Sequence, residues 1–394
     1  MKIAFGVHGV VARVVLCSIF FDAFVPLSPF VSSDFLIPAR TLEALLGGGM
    51  ILFALAQYIS TPLQQWFGVH SVHAASAMFV GIFGYALTQT HQISYFVTIL
   101  WLVFAFNGIG ASAGRVLLRD ASHHVGFQRL TANLQATSQV AAIVAPMGLT
   151  WMAASMGWRA PLRDLAAALV LISLGLSWHA ATSRGRESRR ALASYRAAGL
   201  LRDHRFVCAV AVVVAVQGPF TVLMLAKPGI LLNGYAIALG RVGLLLSIIA
   251  AAAVLGFVGS GLLAPFVPES RRLCLGVVLQ GISTALLALC AWLPAPAACF
   301  VAACFAAAWA LGLLLPLAQA IALDRSQSER PAASGLFGLL TAIGTGAVVL
   351  VGSTVAADPL AAAAASEGTG FVGSLMLALV WRGADAQARR ATDV

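Results

Sequence analysis

One acid stands where water is scarce: in VVLCSIFFDAFVPLSPF, from Val14 to Phe30, Asp22 is the only charged residue. An ionised carboxylate in hydrocarbon is costly, so this group must face a wet cavity, pair with a cation or keep its proton. Any of the three suits a site that loads and releases protons or holds a cationic substrate. Pro26 and Pro29 follow it, and Pro146 interrupts a later apolar run. Prolines inside such runs are tolerated where the freed backbone lines a cavity. Gln57, Asn107, Gln135, Gln139 and Gln217 are amides within apolar stretches and require partners there. With Asp22 and an aromatic wall at Phe24, they form the expected substrate-binding set. Lys227 joins it as a cation at the outer end of an apolar run, suited to an anionic or metal-chelating substrate. Gln65, Arg115 and Asp120, at the ends of such runs, are candidates for gating together with Pro26 and Pro146.

Other chemistries find no foothold. His123, His124 and the remaining histidines lack metal-ligand spacing. The six cysteines form no Cys-x-x-Cys pair and read as small apolar packing residues. No Gly-rich Lys-Ser/Thr phosphate loop occurs, and no nucleophile sits with a base at recognisable spacing. We therefore expect no enzyme, no cofactor, no metal and no ATP-driven pump.

The elements that position these residues follow from composition. The chain is 60% hydrophobic and 10% charged, with a mean hydropathy of +0.92. Apolar runs of roughly 20 residues read as membrane helices. Twelve follow one another, from Gly9–Val31 through Asp164–Ala180 and Phe206–Lys227 to a short last one at Gly368–Trp381. With the N-terminus in the cytoplasm, nineteen of the 24 basic residues, Arg13 among them, fall on the cytoplasmic side, which favours both termini there. The net charge of +10 then meets anionic headgroups rather than nucleic acid. The polar stretch 182–205, with seven arginines, separates a six-helix bundle at 1–181 from a second at 206–394. Two such bundles around a central cavity form a transporter arrangement, all-α and multi-pass. Its partners are a small-molecule substrate, protons and the lipid bilayer, and a monomer suffices. Gly108, Gly110 and Gly114, and likewise Gly335, Gly338 and Gly346, mark places of close helix approach.

Several strings resemble the bicyclomycin-resistance (Bcr/CflA) type of drug/proton antiporter in the major facilitator superfamily. DAFVPLSP (Asp22 to Pro29) resembles its first-helix pattern, and FALAQ (Phe53 to Gln57) its second helix. GASAGRVLLRD (Gly110 to Asp120) is similar to the fourth helix and its exit. APMGLTWMAASMGWRA (Ala145 to Ala160) is similar to the fifth-helix antiporter motif and the Gly-Trp-Arg after it. LLRDHRF, AKPGILLNGY and LLPLAQAIAL continue the likeness. The resemblance implies export of a drug, metabolite or siderophore across a bacterial inner membrane by proton antiport. The sequence departs from it between the second and third helices. Gln65 and Trp66 replace an Asp-Arg pair there, and Val69 and His70 replace paired arginines. The gate these charges would latch must then be held otherwise, by amides such as Gln64 and Gln65. An uptake carrier or uniporter of the same fold, and a transport-inactive binding or sensor protein, are the alternatives.

Overall fold

The computed structural model describes residues 2–122, 124–183, 197–355 and 358–392, and they are helical almost throughout. The first run forms α1 (Lys2–Asp22) and α2 (Phe24–Phe35), interrupted at Ala23. The cause is local: Pro26 has no N–H to give the carbonyl of Asp22. Bonds from Ala23 N to Ile19 O and from Leu27 N to Ala23 O carry the chain across the break. Five long helices follow: α3 (Ala39–Phe67), α4 (Val69–Thr88), α5 (Ile93–Asp120), α6 (His124–Met156) and α7 (Arg159–Ser183). A short α8 (Ala197–Arg202) then leads into α9 (His204–Gly229), whose N–H groups at 205 and 206 are capped by the Asp203 carboxylate. Most of the arginine-rich linker, 184–196, lies outside the described residues. After α9 comes a π-helical turn, Ile230–Gly234, where Pro228 disturbs the ladder. The chain closes with α10 (Leu239–Leu263), α11 (Glu269–Trp292), α12 (Ala297–Ala322), α13 (Arg330–Val355) and α14 (Pro359–Thr392).

Among the described residues, ten helices are long and apolar enough to cross a membrane. Their outward side chains suit lipid: Leu171, Trp178, Leu225 and Leu350 are all exposed. One expectation changes and one gains detail. The last apolar helix runs from Pro359 to Trp381, not Gly368 to Trp381, because the alanines before Glu367 continue the helix. Arg13, counted on the cytoplasmic side within the first span, is a buried residue of α1.

The chain forms two compact units. The first comprises Met1–His123, Val140–Ala197 and Arg325–Leu339. Here α4 packs on α5 and α7, α3 on α5, and α1 on α7 and α5. Phe20, Phe24, Phe96, Leu100 and Trp158 centre its apolar core. At its edge Gly157 takes φ +82°, which starts α7. Arg159 then stacks on Trp158 and pairs with Asp34 at 2.7 Å.

The second unit comprises His124–Gln139, Ala198–Asp324 and Leu340–Val394. It repeats the same neighbours: α11 on α12 and α14, α10 on α12, and α9 on α14 and α12. Leu36 (φ 54°) and Ala236 (φ 51°), the non-glycine left-handed residues among those described, stand just before α3 and α10. That an unfavourable backbone state recurs at matching places shows the duplication plainly.

Candidate functional site

Three helices of the first unit carry polar residues at helical spacing, so each presents one buried polar stripe. On α3 these are Gln57, Ser60, Thr61 and Gln64, all buried. On α5 they are Ser112 and Arg115, and on α13 the carbonyl of Pro331 and both ends of Ser334. The Arg115 fork organises them. Its Nη2 donates to Gln57 Oε1 at 2.6 Å and to Ser334 O at 3.0 Å, and its Nε to Ser334 Oγ at 3.1 Å. Ser334 Oγ in turn donates to Ser112 O at 2.9 Å. Thr61 Oγ1 donates to Pro331 O at 3.1 Å. Gln64 Nε2 donates to Ser60 Oγ at 2.7 Å and Ser112 Oγ at 3.2 Å. Beyond this clasp, Arg330 of α13 forms an ion pair with Asp120 at the end of α5.

Glycines make the approach possible. A Cβ at Gly338 would stand 1.9 Å from Gln57 Oε1, and one at Gly335 2.7 Å from Gln57 O. At Gly346 no described atom lies within 4 Å of a built Cβ.

A second polar group in this unit lies deeper. The Arg13 guanidinium is 1% exposed and donates to Asn107 O at 3.3 Å. His73, also buried, places Nδ1 3.1 Å from Gly110 O. Gly110 is what admits Arg13: a Cβ there would meet its Nη2 at 2.1 Å.

In the second unit, Gln128, the fifth residue of α6, plays the part that Ser334, the fifth of α13, plays in the first. Its Nε2 donates to Ser260 Oγ of α10 at 3.1 Å, and its Oε1 accepts from the buried Arg272 of α11. Farther along, Lys227 is buried at the end of α9 with Nζ against Met224 Sδ, and it acts electrostatically on the Cys304 thiol. Glu367 of α14 is also buried there, with Gln280 beside it.

The structure thus brings together Gln57 and Arg115, and ties Asp120 to the same clasp. Gln64 bonds Ser60 and Ser112 within it, whereas Gln65 is half-buried and makes no bond among the described residues. Asn107 contributes its carbonyl. Phe24 packs edge-on against Phe20 in the core. Gln135 and Gln139 share one face of α6, one turn apart, and with Gln217 of α9 are half-buried. Asp22 ends α1; its side chain, and those of Pro26 and Pro146, lie outside the described ones. Glu367, within the span Pro359–Trp381, is a second acid inside an apolar helix. Arg13, His73, Gln128, Arg272 and Ser334 are buried polar residues that no motif announced. The helical spacing of Thr61, Gln64 and Ser334, Gly338 was the available signal.

A sequence profile of the Major Facilitator Superfamily matches residues 13–349, most of the chain. Among solved structures, the proton:xylose symporter XylE bound to 6-bromo-6-deoxy-D-glucose superposes with a TM-score of 0.79. That match covers 96% of this chain and 95% of XylE at 11% identity. The transporter FucP in its outward conformation gives 0.71 over 96% of this chain and 99% of that one, at 14% identity. A variant of the E. coli fucose:proton symporter FucP gives 0.72 over 94% and 98%, at 13% identity. At such identities these likenesses speak for the fold. No curated protein matches the chain. Profile, duplicated helical units and buried polar clusters agree: the chain belongs to the major facilitator superfamily, as a multi-pass secondary transporter.

Proposed function

We propose that this transporter exports a small amphipathic compound (a drug, metabolite or siderophore) from a bacterial cytoplasm in exchange for protons, with Asp22 as the coupling carboxyl. The carrying observation is where Asp22 sits: at the end of α1, where Pro26 interrupts the helix and leaves backbone polar groups to be satisfied by water or ligand. The DAFVPLSP string, its resemblance to Bcr/CflA antiporters and the inside-positive charge distribution support the same reading, with both termini cytoplasmic. Gln57, Asn107, Gln135, Gln139, Gln217, Phe24 and Lys227 would contact substrate at different stages of the cycle. Arg115, Asp120, Pro26, Gln65 and Pro146 would govern gating.

The test uses the purified protein in proteoliposomes holding a pH-sensitive dye, with ethidium as a cationic amphipathic probe. Wild type should move ethidium against its gradient while protons flow the opposite way, and Asp22→Asn should abolish the coupled proton flux. Unchanged flux in that variant removes Asp22 from the mechanism. The symporters XylE and FucP share the fold, so co-directional movement of proton and solute would select an uptake carrier instead. Ligand binding without counterflow would select a sensor.

A further inference from the structure

Inside the second unit lies an acid that the reading above does not use. Glu367, in α14, is 1% exposed, and its Oε2 has no hydrogen-bond partner among the described residues. Its surroundings follow from a proline. Pro219 of α9 has no N–H, so the carbonyl of Ala215 loses its helical donor. Gln280 of α11 replaces it, donating from Nε2 to Ala215 O at 2.8 Å. That bond fixes the amide with its nitrogen toward α9, and the same group is the side-chain donor facing the Glu367 carboxyl among the described residues. Gly370 lets α14 close over the pair: a Cβ there would stand 2.3 Å from Ala215 O and 2.9 Å from Gln280 Nε2. Thr284 Oγ1 donates to the backbone carbonyls of Gln280 at 3.0 Å and Glu367 at 3.2 Å, which seals the α11–α14 contact.

Along this contact the polar atoms are not paired off. Gln280 Oε1, Ser283 Oγ and Ser374 Oγ are buried, and each lacks a partner among the described residues. Ser283 lies one turn from Gln280, and Ser374 two turns from Glu367, so they extend the same seam along both helices. A buried carboxylate offered a single N–H in hydrocarbon is undercompensated, whereas a carboxylic acid brings its own donor to a neighbouring acceptor. Buried polar atoms in this number are ordinarily satisfied by internal water. The titratable group facing Glu367 is the Cys304 thiol of α12, which also faces the Lys227 ammonium of α9. No ion pair neutralises the acid among the described residues.

We propose that Glu367 is a proton-binding site distinct from Asp22, filled through water held along the α11–α14 seam. In the filling step hydronium hands its proton to the carboxylate, leaving carboxylic acid and water. The proposal deepens the transport reading by giving the second unit a proton carrier of its own.

The test is infrared spectroscopy of the full-length protein in lipid nanodiscs at neutral pH. We expect a carboxylic-acid C=O band that shifts on transfer to heavy water, vanishes in Glu367→Gln and persists in Asp22→Asn. The same band in Glu367→Gln overturns the proposal. So does a wild-type band unmoved by heavy water, since water then does not reach the group. Loss of the band on adding sodium chloride at constant pH overturns it too, in favour of a metal-cation site. Gln280→Leu gives a reading that does not depend on the Glu367 variant folding: the band should move as its N–H neighbour disappears, and a stationary band sinks the assignment. A missing band alongside lost coupling in Asp22→Asn defeats this inference alone. A band present with coupling intact in Asp22→Asn defeats the Asp22 reading alone.

Discussion

Replacing Gly338 with alanine sets two physical effects against each other, and their signs differ. Alanine favours a helix over glycine by about 0.8–1 kcal/mol, so if α13 were held only by its own backbone, the substitution would stabilise its first turns. The clasp predicts the opposite. The new methyl would stand 1.9 Å from Gln57 Oε1 and 2.8 Å from Arg115 Nη2, where real contacts essentially never fall below 3.0 Å. The amide would have to withdraw by about 1.1 Å, the difference of those distances, and this is enough to break its bond with Arg115. A hydrogen bond to a charged donor contributes about 1.5–3 kcal/mol, and the deserted buried groups add their desolvation cost. Set against the gain in propensity, the balance is a net loss of roughly 1–2 kcal/mol in holding residues 330–339, or about 5- to 30-fold in the docking equilibrium. Hydrogen–deuterium exchange followed by mass spectrometry reads this directly. Amides of 330–339 should exchange about 5- to 30-fold faster in Gly338→Ala. Slower or equal exchange would refute the claim that Gln57 and Arg115 hold this helix.

The other outcomes can be read from thermal unfolding in detergent and from the same exchange assay. Arg115→Lys keeps the charge and loses the fork, so the segment 330–339 should loosen by about 1–2 kcal/mol despite the conserved charge; wild-type protection would show that charge alone suffices. A double-mutant cycle on Asp120→Asn and Arg330→Gln should give a coupling of about 1–2 kcal/mol, because both side chains are only 17% exposed. Additive effects would mean the pair is incidental. Gln128→Leu removes the acceptor of the buried Arg272 guanidinium and should destabilise the second unit by about 2–4 kcal/mol; an unchanged midpoint would contradict the bond.

The helical architecture was open to sequence reading because a bilayer demands long apolar runs, and these were counted before any contact was known. The ends were harder. The alanines preceding Glu367 are small and barely apolar, so the last helix was expected to begin after the acid, and the acid's burial was hidden with it. Arg13 was counted only for its side of the membrane, because insertion rules use charge alone; that Gly110, far along the chain, leaves room for its guanidinium is a tertiary fact. Gln57 and Arg115 were each singled out, yet their meeting with Ser334 depends on three helices distant in sequence. A serine at position 334 carries no signal of its own until its neighbours are in place. The Gln280–Ala215 bond was hidden for a similar reason: its cause is an absent donor, and absence is hard to read in a string of letters.

Among the described residues, the acceptors around the Arg115 guanidinium are electrically neutral: an amide oxygen, a hydroxyl and a peptide carbonyl. Ordinary shifts in acidity leave those oxygens uncharged, and counterions have no opposite charge there to compete with. A fastening built this way answers to shape, so its release depends on helices moving apart rather than on the medium outside. The Arg115 bonds should therefore persist across changes of salt and pH that loosen the neighbouring Asp120–Arg330 ion pair.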